Sequence, residues 1–352
     1  MSASPAVQPP SVLPDIPPEE TQRVMRTLLM GMPWVGQAVY AVAKVGVPDA
    51  LAGGPLPVAE LADRVGADAD ALFRFCRALE SLGLLEITAG KEIGLAPGGH
   101  LLRSDAPGAL RHFVIVNGEE SFRAWAEVLH SLRTGRPAFE KVYGTGHFAY
   151  MAEHPEAAES FNAMAGSGTA PAVLERCDVA DASVVADIGG ATGVVLASVL
   201  ARLPEARGIL QDLPQAVADA PAVLRKEGVE ERCEIVGASF FDQVATGADV
   251  YILCRVLHDW NDEDALRILS RVREAMRPDS RLVVVDNMIP ATAGFHPGKL
   301  ADLQMLVILG GKERTLGECK ELLERAGFRT VAEHLPEGPG PRGESAVEAV
   351  PA

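Results

Sequence analysis

Hydrophobic positions along the first hundred residues recur at helical spacing. From about Glu20 to Leu51 the pattern predicts helix, with Met25, Leu28, Leu29 and Met32 on one stripe. The stretch from Trp34 to Val45 is apolar almost all round. A helix with no polar face needs cover on every side, often from another subunit. Gly53, Gly54, Pro55 and Pro57 then break the chain. Beyond them Val58 to Val65 reads as a short helix and Gly66 as a turn. Ala69 to Leu82 reads as a second helix, with Leu72, Phe75, Cys76 and Leu79 inward. Leu84 to Ile87 and Glu92 to Leu95 read as a two-stranded wing. Helix, helix, wing is the order of a winged helix-turn-helix.

The next segment, Arg103 to Gly168, is mostly helical and rich in aromatics, Phe122, Trp125, Phe139, Phe148 and Phe161 among them. Most are expected in the core, and a cluster this dense can also line an aromatic pocket. From Ser183 the period changes to strand and helix in alternation. Val184 to Ile188, Gly208 to Gln211, Cys233 to Val236, Val250 to Leu253 and Leu282 to Val285 read as buried strands. Val194 to Leu203, Gln215 to Glu227, Asp262 to Met276 and Leu316 to Ala326 read as helices. Continuous apolar strands separated by helices predict a parallel sheet covered on both faces, an α/β fold.

Composition narrows the field. A chain of 352 residues exceeds one ordinary domain, and 48% hydrophobic residues suffice for a large core. No apolar run approaches the roughly 20 residues of a membrane span. The first twenty residues, rich in Pro and Ser, read as a disordered leader and not as a secretory signal. Five scattered cysteines without a CxxC pair argue against a disulfide framework or a zinc site, and fit a reducing cytoplasm. A net charge of −16 repels phosphate backbones and anionic lipids, so neither nucleic acid nor membrane is an expected partner. On the second helix Arg74 and Arg77 are offset by Asp68, Asp70 and Glu80, which favours a structural, dimer-forming use of the wing over DNA binding.

Candidate chemistry sits at the strand ends. The first strand runs into Asp187-Ile188-Gly189-Gly190-Ala191-Thr192-Gly193, where small residues let a ligand approach the backbone. A dinucleotide fingerprint read from Gly189 fails at Ala191 and Val194, so a nucleoside without a pyrophosphate fits better. Asp212 ends the second strand, where a carboxylate can accept ribose hydroxyls. The third strand leads into Ser239 and Phe240, which suit the edge and face of an adenine ring. The fourth ends in Cys254-Arg255-Val256-Leu257-His258-Asp259-Trp260 and places His258 at the ligand crevice. Asp286, at the next strand end, and Glu313, in Gly310-Gly311-Lys312-Glu313-Arg314-Thr315, are carboxylates able to fix its tautomer. No cluster has metal-ligand spacing.

Together these residues resemble the plant-type, caffeate-like small-molecule O-methyltransferases and their bacterial secondary-metabolite relatives. The likeness runs from about residue 21 to the end. Its most specific pieces are the Asp187–Gly193 loop, Asp212-Leu213-Pro214, Leu257-His258-Asp259-Trp260 and the Gly310–Thr315 loop, with His130 to Pro137 pointing to the bacterial branch. Beyond the leader over 1–20, the resemblance implies a winged-helix dimerisation domain over 21–105 and a Rossmann-like class I methyltransferase domain over 106–352 with its sheet core from about 183. It implies S-adenosylmethionine as cofactor, a homodimer, and a small aromatic or polyketide-type acceptor methylated on a hydroxyl. His258 matches the general base, and Asp286 and Glu313 its flanking acids. Gly189, Asp212, Leu213, Ser239, Phe240 and Cys254 match cofactor positions, and Trp125, Met164, Asp302 and Met305 are candidate acceptor contacts. Three positions depart from the pattern: Ala191 replaces the common Gly, Ser239 the usual Asp, and Cys254 the usual Lys or Ser. Two rivals stand beside this expectation. One keeps fold and cofactor but hydroxylates, decarboxylates or steers a pericyclic step. The other is a winged-helix regulator with a ligand domain.

Overall fold

In the computed structural model of the chain the described residues are 32–106, 110–166, 170–292, 296–336 and 344–352. The expected leader, and Met25, Leu28 and Leu29 of the first stripe, lie outside them. The chain divides into two compact units. Among the described residues, 32–126 and 153–166 form one, and 127–152 and 170–352 the other. The expected domain boundary near 105 thus falls inside the first unit.

In the first unit the apolar stripes close a small core. Leu61 of the helix Val58–Val65 and Leu72, Cys76 and Leu79 of the helix Ala69–Glu80 pack against Leu85 and Ile93. The Asp68 carboxylate caps the second of these helices by accepting the Ala71 N–H at 2.8 Å. Strands β1 (Leu56–Pro57), β2 (Leu85–Ile87) and β3 (Glu92–Leu95) form an antiparallel sheet in the order β1-β3-β2. One expectation changes here, and a second is met only in part by a single chain. Phe75 is 40% exposed, because the inward stripe runs through Leu72, Cys76 and Leu79 and leaves it at the edge. The apolar helix over 32–44 is not covered on every side within one chain, since Met32 and Trp34 are each 65% exposed.

The second unit holds a seven-stranded sheet. Its strands are β4 (Val184–Ile188), β5 (Arg207–Asp212), β6 (Cys233–Gly237), β7 (Val250–Cys254), β8 (Arg281–Asp286), β9 (Phe328–His334) and β10 (Ser345–Pro351), in the order β6-β5-β4-β7-β8-β10-β9. The first five in that order are parallel, and β10 pairs antiparallel with both β8 and β9. The sheet is therefore mixed, not wholly parallel as the pattern predicts. Apolar clusters cover its two faces, around Leu253, Leu269 and Leu323 on one and Leu196, Leu210 and Leu224 on the other. The helix expected over 215–227 shortens to Ala220–Lys226. Pro221 stands in its first turn, where the missing N–H costs nothing, and the preceding residues form turns after Pro214. Among the described residues no helix is long and apolar enough to cross a membrane.

Candidate active site

The carboxyl ends of the parallel strands form a crevice, the usual ligand position in open α/β sheets. β4 runs into the loop 189–193. Gly189 has φ 76°, and a Cβ there would lie 2.7 Å from Val256 Cγ2. Both the backbone conformation and the space require glycine. Ala191 takes φ 47°, a left-handed conformation that costs a residue with Cβ about 1–2 kcal/mol. Its N–H donates to Asp212 Oδ2 at 2.9 Å, and the Leu213 N–H donates to Asp212 Oδ1 at 2.7 Å. Asp212 therefore holds the glycine loop as well as lining the crevice. Burial raises its pKa, against the lowering effect of those two donors.

The cavity beside this loop is lined by Gly189, Asp212, Leu213, Ser239, Phe240 and Arg255, with Phe148 and Trp260 as a further wall. Phe148 stacks on Trp260 with ring centroids 5.5 Å apart, and Trp260 meets Phe240 edge-on at 5.9 Å. A flat aromatic wall facing a strand-end carboxylate fits a nucleoside. The base can lie against the rings, and an ionised Asp212 keeps lone pairs for ribose hydroxyls after accepting two N–H groups. Ser239 Oγ accepts the Phe241 N–H at 3.2 Å and so braces the turn carrying Phe240. Cys254 does not line this cavity. Its side chain packs into the core cluster on one sheet face, burial raises its thiol pKa well above the ordinary value, and the next residue, Arg255, faces the cavity instead.

His258 lies on a single helical turn, Leu257–Asp259, just after β7. Its Nδ1 is 3.1 Å from Glu313 Oε1 and its Nε2 is 3.4 Å from Asp259 Oδ1. Asp286, at the end of β8, is buried and acts on the same ring through its charge. Burial works against a charge on His258, but Asp259, the Glu313 hydrogen bond and Asp286 together outweigh it and raise its pKa to about 10. The carboxylates around the ring thus favour its protonated form, where the sequence leads one to expect a neutral base. Burial likewise raises Asp286 to about 7 and Asp259 to about 6, in both cases against the lowering effect of His258.

Met305 opens a π-helical turn, Met305–Leu309, whose carbonyl accepts the Gly310 N–H at 2.8 Å. Asp302, expected as an acceptor contact, accepts the Glu313 backbone N–H at 2.9 Å. Trp125 and Met164 belong to the first unit. The structure thus brings His258, Asp259, Asp286, Glu313 and Asp302 together. Of these, Asp259 is the carboxylate given no role from sequence, although its adjacency to His258 was in plain view. Phe148 stood among the aromatics able to line a pocket, but nothing in the sequence paired it with Trp260, more than a hundred residues on.

Among the described residues one group joins three metal-ligand types, Cys177, His334 and Glu348. Glu348 Oε1 lies 2.6 Å from His334 Nε2, and its Oε2 lies 2.7 Å from Arg281 Nη1. Burial and Glu348 hold the Cys177 thiol up at about 12, while Arg176, Arg202 and Arg281 pull it down. That positive surround favours a structural tie between strands over a cation site.

Comparison with known proteins identifies the family. The family model for an O-methyltransferase domain matches residues 125–329, and that for an O-methyltransferase dimerisation domain matches residues 18–97. The chain is 43% identical over 298 residues to the phenazine O-methyltransferase PhzM of Lysobacter antibioticus, covering 84% of this chain and 87% of that one. It is 40% identical over 340 residues to the O-demethylpuromycin-O-methyltransferase of Streptomyces alboniger, covering 94% and 89%. Among solved structures it resembles NcsB1, an O-methyltransferase from neocarzinostatin biosynthesis in complex with S-adenosylmethionine and 2-hydroxy-5-methyl naphthoic acid. The TM-score is 0.79 at 31% identity, covering 90% of this chain and 96% of that one. The regulator alternative has no support in these matches. The chain belongs to the S-adenosylmethionine-dependent O-methyltransferase family, whose two domain models it carries in order.

Proposed function

We propose that His258 is the general base for methylation of an aromatic hydroxyl on a small secondary metabolite, with Glu313 and Asp286 orienting and balancing its ring. The supporting observation is the 3.1 Å contact of His258 Nδ1 with Glu313 Oε1, which leaves Nε2 as the nitrogen able to receive a proton. The acceptor class rests on the aromatic compounds named for the relatives and on the aromatic surround of the crevice.

When bound, S-adenosylmethionine supplies a methyl group that is already electrophilic. The chain has two further tasks, to align the acceptor and to take its proton. A phenol near pKa 10 keeps its proton at neutral pH. Once the ring has released its own Nε2 proton to solvent, His258 Nε2 receives that of the acceptor hydroxyl, on the side where Asp259 Oδ1 lies at 3.4 Å. Glu313 keeps the other ring nitrogen protonated. Met305 is a proposed acceptor contact, whereas Asp302 is engaged with Glu313. Incubating the protein with methyl-labelled cofactor and a panel of phenols, with arylamines as controls, tests the reading. Transfer to no phenol, or products of hydroxylation or decarboxylation, would overturn it.

Asp212 is proposed to hold the ribose. Asp212→Ala is expected to weaken S-adenosylhomocysteine binding by about 1–3 kcal/mol, the usual cost of leaving a buried partner unpaired. Calorimetry finding wild-type affinity would remove Asp212 from the site.

The chain is further proposed to be a homodimer joined through its first unit. A dimerisation-domain match over residues 18–97 and the exposed Trp34 and Phe75, which line one groove, support this. Burying such apolar surface is the ordinary driving force for a symmetric pair. Sedimentation is expected to give a dimer at micromolar concentration, and a monomer there would refute it. A cytoplasmic location fits five free thiols.

A further inference from the structure

We propose that Arg314 is a positioning residue for the reaction, setting the place of the turn that carries His258. It rests on the reading of His258 as the base. Arg314 is 6% exposed. Its Nη1 donates to the Leu257 carbonyl at 2.7 Å, and its Nη2 to the Trp260 carbonyl at 2.9 Å. Those two carbonyls bracket His258 and Asp259. The same guanidinium pairs with Asp262 Oδ1, through Nη2 at 2.8 Å and Nε at 3.1 Å, and so anchors the turn to the start of the helix Asp262–Ala275.

The neighbours of Arg314 complete the grip. The Lys312 N–H donates to the His258 carbonyl at 2.9 Å. Glu313 meets the ring itself at Nδ1, and its own N–H is held by Asp302 at 2.9 Å. Three consecutive residues therefore hold both flanks of the turn, its central carbonyl and the imidazole. Arg314 touches neither the ring nor the crevice, and its effect on chemistry passes through His258. Only a planar fork of fixed donors spans two carbonyls and a carboxylate at once. A lysine ammonium is a single point and cannot.

The test uses the full chain with Arg314→Lys, which keeps the charge, and Arg314→Ala. The expected result for Arg314→Lys is a fall in kcat of about 10²-fold, the loss typical of a displacement near 1 Å. The phenol giving the highest rate in the panel is the acceptor, and S-adenosylhomocysteine affinity by calorimetry stays within about twofold. The titration midpoint of the His258 ring, followed by NMR of labelled histidine and assigned by its absence in His258→Gln, is expected to fall, because Glu313 no longer meets Nδ1. Added guanidinium is expected to restore part of the rate of Arg314→Ala. A wild-type midpoint and kcat in Arg314→Lys, or a loss of rate matched by a loss of cofactor affinity, would overturn the proposal. An active His258→Gln would instead sink the base assignment, so the two failures are distinguishable.

Discussion

Replacing His258 by alanine is expected to lower kcat by about 10²–10⁴-fold, the range of a general base, with affinity for S-adenosylhomocysteine almost unchanged. The proposed base serves the acceptor proton, and the cavity proposed for the cofactor is lined by Gly189, Asp212, Phe240 and Trp260 instead. His258→Gln separates two roles, since an amide can hydrogen-bond a hydroxyl but cannot take its proton. Near-full activity in His258→Gln would exclude proton abstraction by this residue. Asp286→Asn and Glu313→Gln are expected to cost less than His258→Ala, because they remove support and leave the base. A larger loss in either, with folding intact, would reverse the assignment of roles.

The carboxylates around His258 give this prediction a pH signature. Its pKa is raised to about 10, above an ordinary 6.5. The profile of kcat/KM, which reports the free enzyme, is therefore expected to keep rising with pH above neutrality, because only the deprotonated ring accepts a proton. A limb at or below pH 6 would contradict it. Stability carries the opposite sign. The charged ring contributes stability in full below its unfolded pKa, and that contribution fades as pH rises through the folded value. The stability gap between wild type and His258→Gln is accordingly expected to be widest in mild acid and to narrow toward pH 10.

Gly311→Ala is expected to have the second-largest effect. A Cβ at Gly311 would lie 2.2 Å from the His258 carbonyl oxygen and 2.5 Å from the Asp259 carbonyl carbon. Both are backbone atoms, so no side chain can swing aside. The loop must back away from the turn, taking Glu313 from the imidazole and weakening the Lys312 bond to the His258 carbonyl. The expected outcome is a loss of about 10²-fold in kcat, as for a misplacement near 1 Å. A destabilisation of about 1–3 kcal/mol from overpacking should accompany it. Gly317→Ala is the control, since the nearest atom to its Cβ would be Thr315 Oγ1 at an ordinary 3.9 Å. Wild-type kcat in Gly311→Ala, with the control also unaffected, would show that the close approach of loop and turn does not matter to the reaction.

Local pattern by itself determined much of this protein. The helices Val58–Val65 and Ala69–Glu80 and the strands β4, β5, β7 and β8 lie where apolar periodicity put them, because each buries its own face. The glycine loop and His258 were legible too, since both stand at the end of a continuous apolar strand before a break. Tertiary structure decided the rest. β9 alternates half-buried and exposed positions after Phe328 at the sheet edge, and β10 carries the buried Glu348, so neither has the apolar run that marked the central strands. Their antiparallel pairing was therefore invisible. The exposure of Phe75 and the inward turn of Cys254, with Arg255 facing the crevice, depend on which way one position points, and a period cannot settle that at an element's edge. Glu313 meets His258 across 55 residues of sequence, and Asp302 and Arg314 join them through a π-helical turn and a backbone clasp. Spacing along a chain reports which residues are buried. Which buried groups then meet, and what proton they share, follows only from how the sheet brings its strand ends together.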